Sequence, residues 1–161
     1  MGKYFALLPA LAIVLVVSGC TTGGLSITDF QAGIENILIG GKYMKCILSG
    51  PDISGVSSLQ CYAEDFSGGV SMTQHSTSSD AQVLLNALKH FEDMPELNRS
   101  YVYSEVTVSD ENINKLTIIE PGSEIFITYF WAHDKFVFSV SSEDEEITQS
   151  ITEKIIDIYE S

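Results

Sequence analysis

Apolar residues recur along this chain with two different periods, and the switches between them outline its elements. From Ile27 to Gly41, Phe30, Ile34, Ile37 and Leu38 fall at i, i+4, i+7 and i+8, which places them on one face of a helix. Thr28 stands where an N-cap belongs, and Gly40-Gly41 stands where a helix stops. A buried strand over Ile37 to Ile39 is the competing reading. Lys42 to Ser49 and Val56 to Ala63 then read as strands around the turn-forming segment Gly50-Pro51-Asp52-Ile53-Ser54-Gly55, with a weaker strand from Gly69 to Gln74. Helical spacing returns over Asp80 to Asp93, where Val83, Leu84, Ala87, Leu88 and Phe91 share a face, Ser79 is the expected cap and Pro95 follows the end.

Four β-branched and aromatic runs follow: Tyr101 to Val108, Lys115 to Glu120, Glu124 to Trp131 and Lys135 to Ser141. The polar breaks between them are short, which predicts an antiparallel meander. Phe136, Phe138 and Val140 alternate with Val137, Ser139 and Ser141, whereas Ile125 to Trp131 is apolar on both parities and belongs in the interior of a sheet. Ser142 and Glu145 have the spacing of a capping box, ahead of an amphipathic helix carrying Ile147, Ile151, Ile155 and Ile158. The pattern predicts an α+β domain: an antiparallel sheet of roughly five to seven strands, with two to three helices packed mainly on one face.

Ahead of these elements, Lys3 precedes Phe5 to Val17, an uncharged apolar run of 13 residues. That length suits the core of a secretory signal, and it falls short of the roughly 20 residues a membrane-spanning helix needs. The run ends in Val17-Ser18-Gly19-Cys20. An aliphatic residue, two small residues and a cysteine resemble the lipobox of prokaryotic lipoprotein signal peptides, a resemblance confined to the leader. It implies that residues 1–19 are removed as a signal peptide and that Cys20 carries diacylglycerol through a thioether. Two acyl chains hold a protein firmly where one is marginal. Residues 20–26 become a lipid-anchored tether, and residues 27–161 a single globular domain outside the cytoplasm, on the cell membrane. The plain alternative is an ordinary cleaved signal, or an uncleaved anchor, with an incidental cysteine. Myristoylation of Gly2 is excluded because Ala6 stands where Ser or Thr is required.

Charge narrows the partners. The chain of 161 residues carries a formal charge of −14, and loss of Lys3 with the leader leaves −15 on the remaining 142. A body this acidic, without a basic cluster, repels phosphate backbones, so nucleic acid is set aside. The same charge disfavours anionic lipid surfaces, and the expected membrane contact is the lipid on Cys20. With Cys20 assigned to lipid, Cys46 and Cys61 remain as an even pair in an oxidising compartment, where a disulfide is the natural state and would staple the first hairpin. Asn98-Arg99-Ser100 is a formal N-glycosylation sequon.

Candidate chemistry is sparse. His75, His90 and His133 are scattered, without the spacing of a metal or catalytic motif. Asp110-Glu111-Asn112-Ile113-Asn114 opens like a calcium loop, but Lys115 and Pro121 occupy the positions that need Gly and Glu, so a polar turn is the better reading. Tyr129, Phe130, Trp131, Phe136 and Phe138 either line a ligand or partner surface or fill a core covered on both sides. No cofactor or metal is expected. The expectation is a non-enzymatic, membrane-anchored binding or interaction module of the cell envelope, taking an unidentified protein or apolar ligand. An exported hydrolase or metal-dependent enzyme with dispersed residues, using His90 or His133, is the alternative.

Overall fold

The computed structural model describes residues 24–64, 68–89, 100–119 and 125–161, with Ile125 described for its backbone only. Among them are three helices, a seven-stranded antiparallel sheet and a separate two-stranded hairpin. The α+β expectation holds.

Helix α1 (Ile27–Glu35) begins one residue before the expected cap. Ser26, not Thr28, caps it: the Ser26 hydroxyl accepts from Asp29 N–H at 3.3 Å while Ser26 N–H donates back to the Asp29 carboxylate at 2.8 Å. The helix stops at Glu35, short of Gly41, because the two glycines serve a tighter purpose. Strands β1 (Leu38–Ile39) and β2 (Lys42–Tyr43) form a small hairpin across Gly40 and Gly41, whose φ angles of 57° and 81° lie in the left-handed region that such a two-residue turn demands. The strand reading of Leu38 and Ile39 therefore prevails over the helical one.

Two meanders make the large sheet. The first contains β3 (Lys45–Ser49), β4 (Ser57–Tyr62) and β5 (Gly68–Gln74). The second contains β6 (Ser100–Val108), β7 (Glu111–Ile119), β8 (Ile125–His133) and β9 (Phe136–Ser142). Antiparallel pairing of β5 with β9 joins them in the order β3-β4-β5-β9-β8-β7-β6. β9 is the middle strand, and β8, apolar on both parities, lies next to it in the interior.

The β6–β7 turn is shorter than the polar run suggests. Ser109 and Asp110 alone make it, with φ of 47° and 65°, so β7 starts at Glu111 rather than Lys115. Asn114 is drawn into the buried sheet by a bond from its Nδ2 to the Phe130 carbonyl at 3.1 Å.

Register assigns every strand residue to one of two faces. One face carries Leu59, Val70, Met72, Phe138, Val140, Tyr129 and Trp131, and against it pack α1 and α3 (Glu145–Glu160). Phe30 of α1 is the keystone, fully buried with its ring centroid 5.0 Å from Phe136 and 5.1 Å from Phe138. Helix α2 (Ser78–Lys89) lies on the opposite face, against β8 and β9. The Tyr103 hydroxyl there donates to the Leu88 carbonyl at 2.8 Å, and Phe130 meets the Tyr103 ring edge-on. The Thr77 hydroxyl accepts from Asp80 N–H at 3.1 Å, so α2 starts before the expected Ser79 cap. Two helices on one face and one on the other thus sandwich the centre of the sheet.

The capping box expected at Ser142 and Glu145 does not form. Asp144 caps α3, accepting from Glu146 and Ile147 N–H at 2.8 and 3.3 Å. Ser142 is buried beneath it and exchanges a hydrogen bond with Thr148 at 2.7 Å. Glu145, freed from capping, turns to the sheet.

Candidate functional site

Among the described residues, the sheet outreaches α2 on its face. Where β4, β5 and β9 run past that helix, two cross-strand rows lie side by side. Gln60, Ser71 and Ser139 form one, and Gly69 with Ser141 form the other, flanked by Tyr62 at the end of β4. Small residues make the floor low, while Gln60 and the half-exposed Tyr62 stand as walls. The result is a shallow cleft of about 320 Å³ lined by Gln60, Tyr62, Gly68, Gly69, Ser71, Ser139 and Ser141, and by the backbone of Cys61 and Val70.

Gly69 is required there by close approach, since a Cβ at this position would meet the Cys61 carbonyl oxygen at 2.8 Å. The opposite side of the same strands is tied by the disulfide expected from the sequence. Cys46 and Cys61 are direct cross-strand partners with an S–S distance of 2.02 Å. That bond fixes β3, the outermost strand, to β4, which forms the cleft wall.

Among the described residues, every side chain lining the cleft is neutral. Ser141 exchanges a hydrogen bond with Thr128 at 2.9 Å, which orients its hydroxyl along the floor. Hydroxyls, an amide and a phenol ring can hydrogen-bond and stack on a ligand, but they provide neither a titrating acid–base pair nor a hard set of metal ligands.

The titratable groups gather elsewhere, under α3. Tyr129 is buried, and its hydroxyl donates to Glu145 Oε1 at 2.9 Å; the same oxygen accepts from Lys115 Nζ. The Lys115 ammonium first, and Tyr129 second, hold the Glu145 carboxyl below its ordinary value. Burial first, and Glu145 second, push the Tyr129 phenol well above its own. At the other end of α3, Tyr159 stacks on His133 at 3.9 Å, and His133 Nδ1 lies 3.8 Å from Glu111. Burial, with Glu111 nearby, raises Tyr159 too. Both clusters clamp the ends of α3 to the sheet.

The remaining sequence candidates separate. His75 pairs with Thr73 at 3.0 Å at the end of β5, where its backbone N–H donates to the Lys135 carbonyl at 2.9 Å; β9 separates it from His133, which stacks on α3 on the other face of the sheet. Asp110 belongs to a hairpin turn and Asn112 and Asn114 to β7, so the calcium-like opening is a turn and a strand. Among the described residues no three His, Cys, Asp or Glu side chains gather as metal ligands do. Cys20, His90 and the sequon asparagine Asn98 lie outside the described residues. Tyr129, Phe130, Trp131, Phe136 and Phe138 are all buried, divided between the two covered faces, so they fill the core instead of lining a surface.

The cleft itself escaped the sequence reading. Its signal is the pair of small residues at one parity, Ser139 and Ser141, beside Phe138 and Val140. In comparisons with known proteins, no family model, no curated protein and no solved structure matches this chain.

Proposed function

We propose that this chain is an exported lipoprotein, held to the membrane by lipid on Cys20, whose domain binds a ligand without transforming it. The lipobox-like leader supports the location. The observation that carries the binding role is the lining of the β4–β5–β9 cleft, where, among the described residues, hydroxyls, an amide and the half-exposed Tyr62 ring converge without a carboxylate, an imidazole or an ammonium. Such a surface suits an uncharged ligand rich in hydroxyl or amide groups, which the acidic body does not repel.

The experiment is to extract the protein from its membranes and identify co-purifying material by native mass spectrometry, for the wild type and for Ser139→Trp. The large ring fills the floor of the cleft without touching the core. Retention by the wild type and loss in the variant is the expected result. Equal retention removes the cleft from the account, and turnover of the retained ligand by the purified protein removes the non-catalytic reading.

A further inference from the structure

Nine large apolar side chains stand exposed among the described residues, and six of them fall in one short stretch: Leu38, Tyr43, Ile47, Leu48, Ile53 and Tyr62. Leu38 and Tyr43 lie on the β1–β2 hairpin, Ile47 and Leu48 on the edge strand β3, Ile53 on the loop that joins β3 to β4, and Tyr62 at the end of β4. An edge strand and loop carrying this many exposed apolar side chains call for a partner.

The loop is built to present its isoleucine. Asp52 Oδ1 accepts from Ser54 N–H at 2.7 Å and from Val56 N–H at 3.0 Å. Asp52 N–H donates to the Val56 carbonyl, and Gly55 N–H to the Asp52 carbonyl, each at 3.0 Å, with Gly55 in the left-handed region at φ 77°. These four bonds tie the turn to itself. Ile53, at the apex, is left wholly in solvent.

Charge and chain path point to the occupant. Residues 38–64 carry Lys42 and Lys45 against Asp52 and Glu64, so this stretch is formally neutral in a chain of −14. Two copies, each this acidic, repel one another, whereas a neutral edge meets a lipid surface without penalty. Helix α1 packs across β3 and β4. Phe30, in its first turns, touches Phe136 at the Gln74–Phe136 end of the sheet, while Ile37 beyond its end is bonded to Met44 just before Lys45. Ser26 therefore lies at the same end of β3 and β4 as the Asp52–Gly55 loop. A tether of six residues, Thr21 to Ser26, reaches at most about 20 Å, so an anchor on Cys20 holds this loop at the bilayer.

We infer that the β2–β3 edge is the lipid-facing side of the domain, with Ile53 entering the headgroup boundary at one end of the edge and Tyr43, Lys42 and Lys45 meeting the headgroups at the other. Tyrosine rings and lysine stems suit that depth, each with an apolar body and a polar tip. The inference deepens the anchored-lipoprotein reading and rests on it.

The test uses the full chain, expressed so that its leader is processed and reconstituted into phosphatidylcholine vesicles with or without brominated acyl chains. Ile53→Trp places a reporter at the apex, and Val83→Trp, exposed on α2, is the control; the native Trp131 is buried and stays constant. Emission of the Ile53→Trp reporter should fall by about half in brominated vesicles, as for a side chain about 5–10 Å into the boundary, while Val83→Trp stays unchanged. Flotation of wild type and Cys20→Ser tests the anchor separately. A protein that floats through Cys20 with an unquenched Ile53→Trp reporter keeps the anchor and overturns the docking edge. Quenching with undiminished flotation of Cys20→Ser keeps the edge and overturns the anchor. Failure of both chains to float overturns both, and an unquenched reporter with a concentration-dependent dimer assigns the edge to a second copy instead.

Discussion

Removing one oxygen, by Tyr129→Phe, tests how α3 is held on the sheet. The ring is buried at 2% exposure, so the substitution leaves the packing of β8 against α3 in place and deletes only the 2.9 Å bond to Glu145. A hydrogen bond to a charged acceptor contributes about 1.5–3 kcal/mol. Glu145 is 45% exposed and keeps Lys115, so water recovers part of that, and the expected loss is about 1–2 kcal/mol. In urea, with a slope of about 1–3 kcal/mol/M, the midpoint should fall by roughly 0.5–1 M at unchanged slope.

The pH dependence has a definite sign. Glu145 is held below its ordinary 4.5 in the folded protein, by Lys115 first and then Tyr129. Its stabilisation is complete above about pH 4.5 and is lost as pH falls through the folded value. Tyr129 is shifted the other way, raised above its ordinary 10 by burial and then by Glu145, so its contribution is present below pH 10 and lost as pH rises further. The gap between wild type and variant should be level from about pH 5 to 9, and shrink on either side. A difference below about 0.3 kcal/mol across that plateau, or one undiminished at acid pH, would refute the clamp.

Two further substitutions probe other joints. Serine at both Cys46 and Cys61, which close a loop of 15 residues, should cost about 3 kcal/mol by chemical denaturation; a loss within about 0.5 kcal/mol would show that β3 is held without the bond. Gly33→Ala places a Cβ 2.5 and 2.9 Å from Cδ1 and Cγ1 of Ile158, so overpacking of about 1–3 kcal/mol outweighs a helix-propensity gain of up to about 1 kcal/mol. Adding Ile158→Ala should remove that clash, and purely additive losses in the double-mutant cycle would deny the contact between α1 and α3.

How much of this was legible in the sequence follows from which forces act locally. Period-2 alternation in Phe136 to Ser141 and the isoleucine spacing of α3 are statements about burial, and burial decided those elements. The errors cluster where short polar residues choose between equivalent local bonds. Ser26 competed with Thr28, Thr77 with Ser79 and Asp144 with Ser142 for a helix N-terminus, and at the last of these Ser142 was already buried and bonded to Thr148. Gly40-Gly41 and Ser109-Asp110 read as a helix stop and a long break, but their left-handed angles fit two-residue hairpins. The cleft depends on pairing β5 with β9 across residues distant in the chain, so Gly69 beside Ser141 was invisible until the register was known. The same holds for Lys115 and Tyr129, which converge on Glu145 only through the meander.

Mass spectrometry of the intact protein extracted from membranes bears most directly on the central claim. The expected species begins at Cys20, carries diacylglycerol on that residue, and gains two hydrogens on reduction as the Cys46–Cys61 bond opens. A chain that retains Met1, or one cleaved elsewhere with Cys20 absent or unmodified, would contradict the lipid-anchored account.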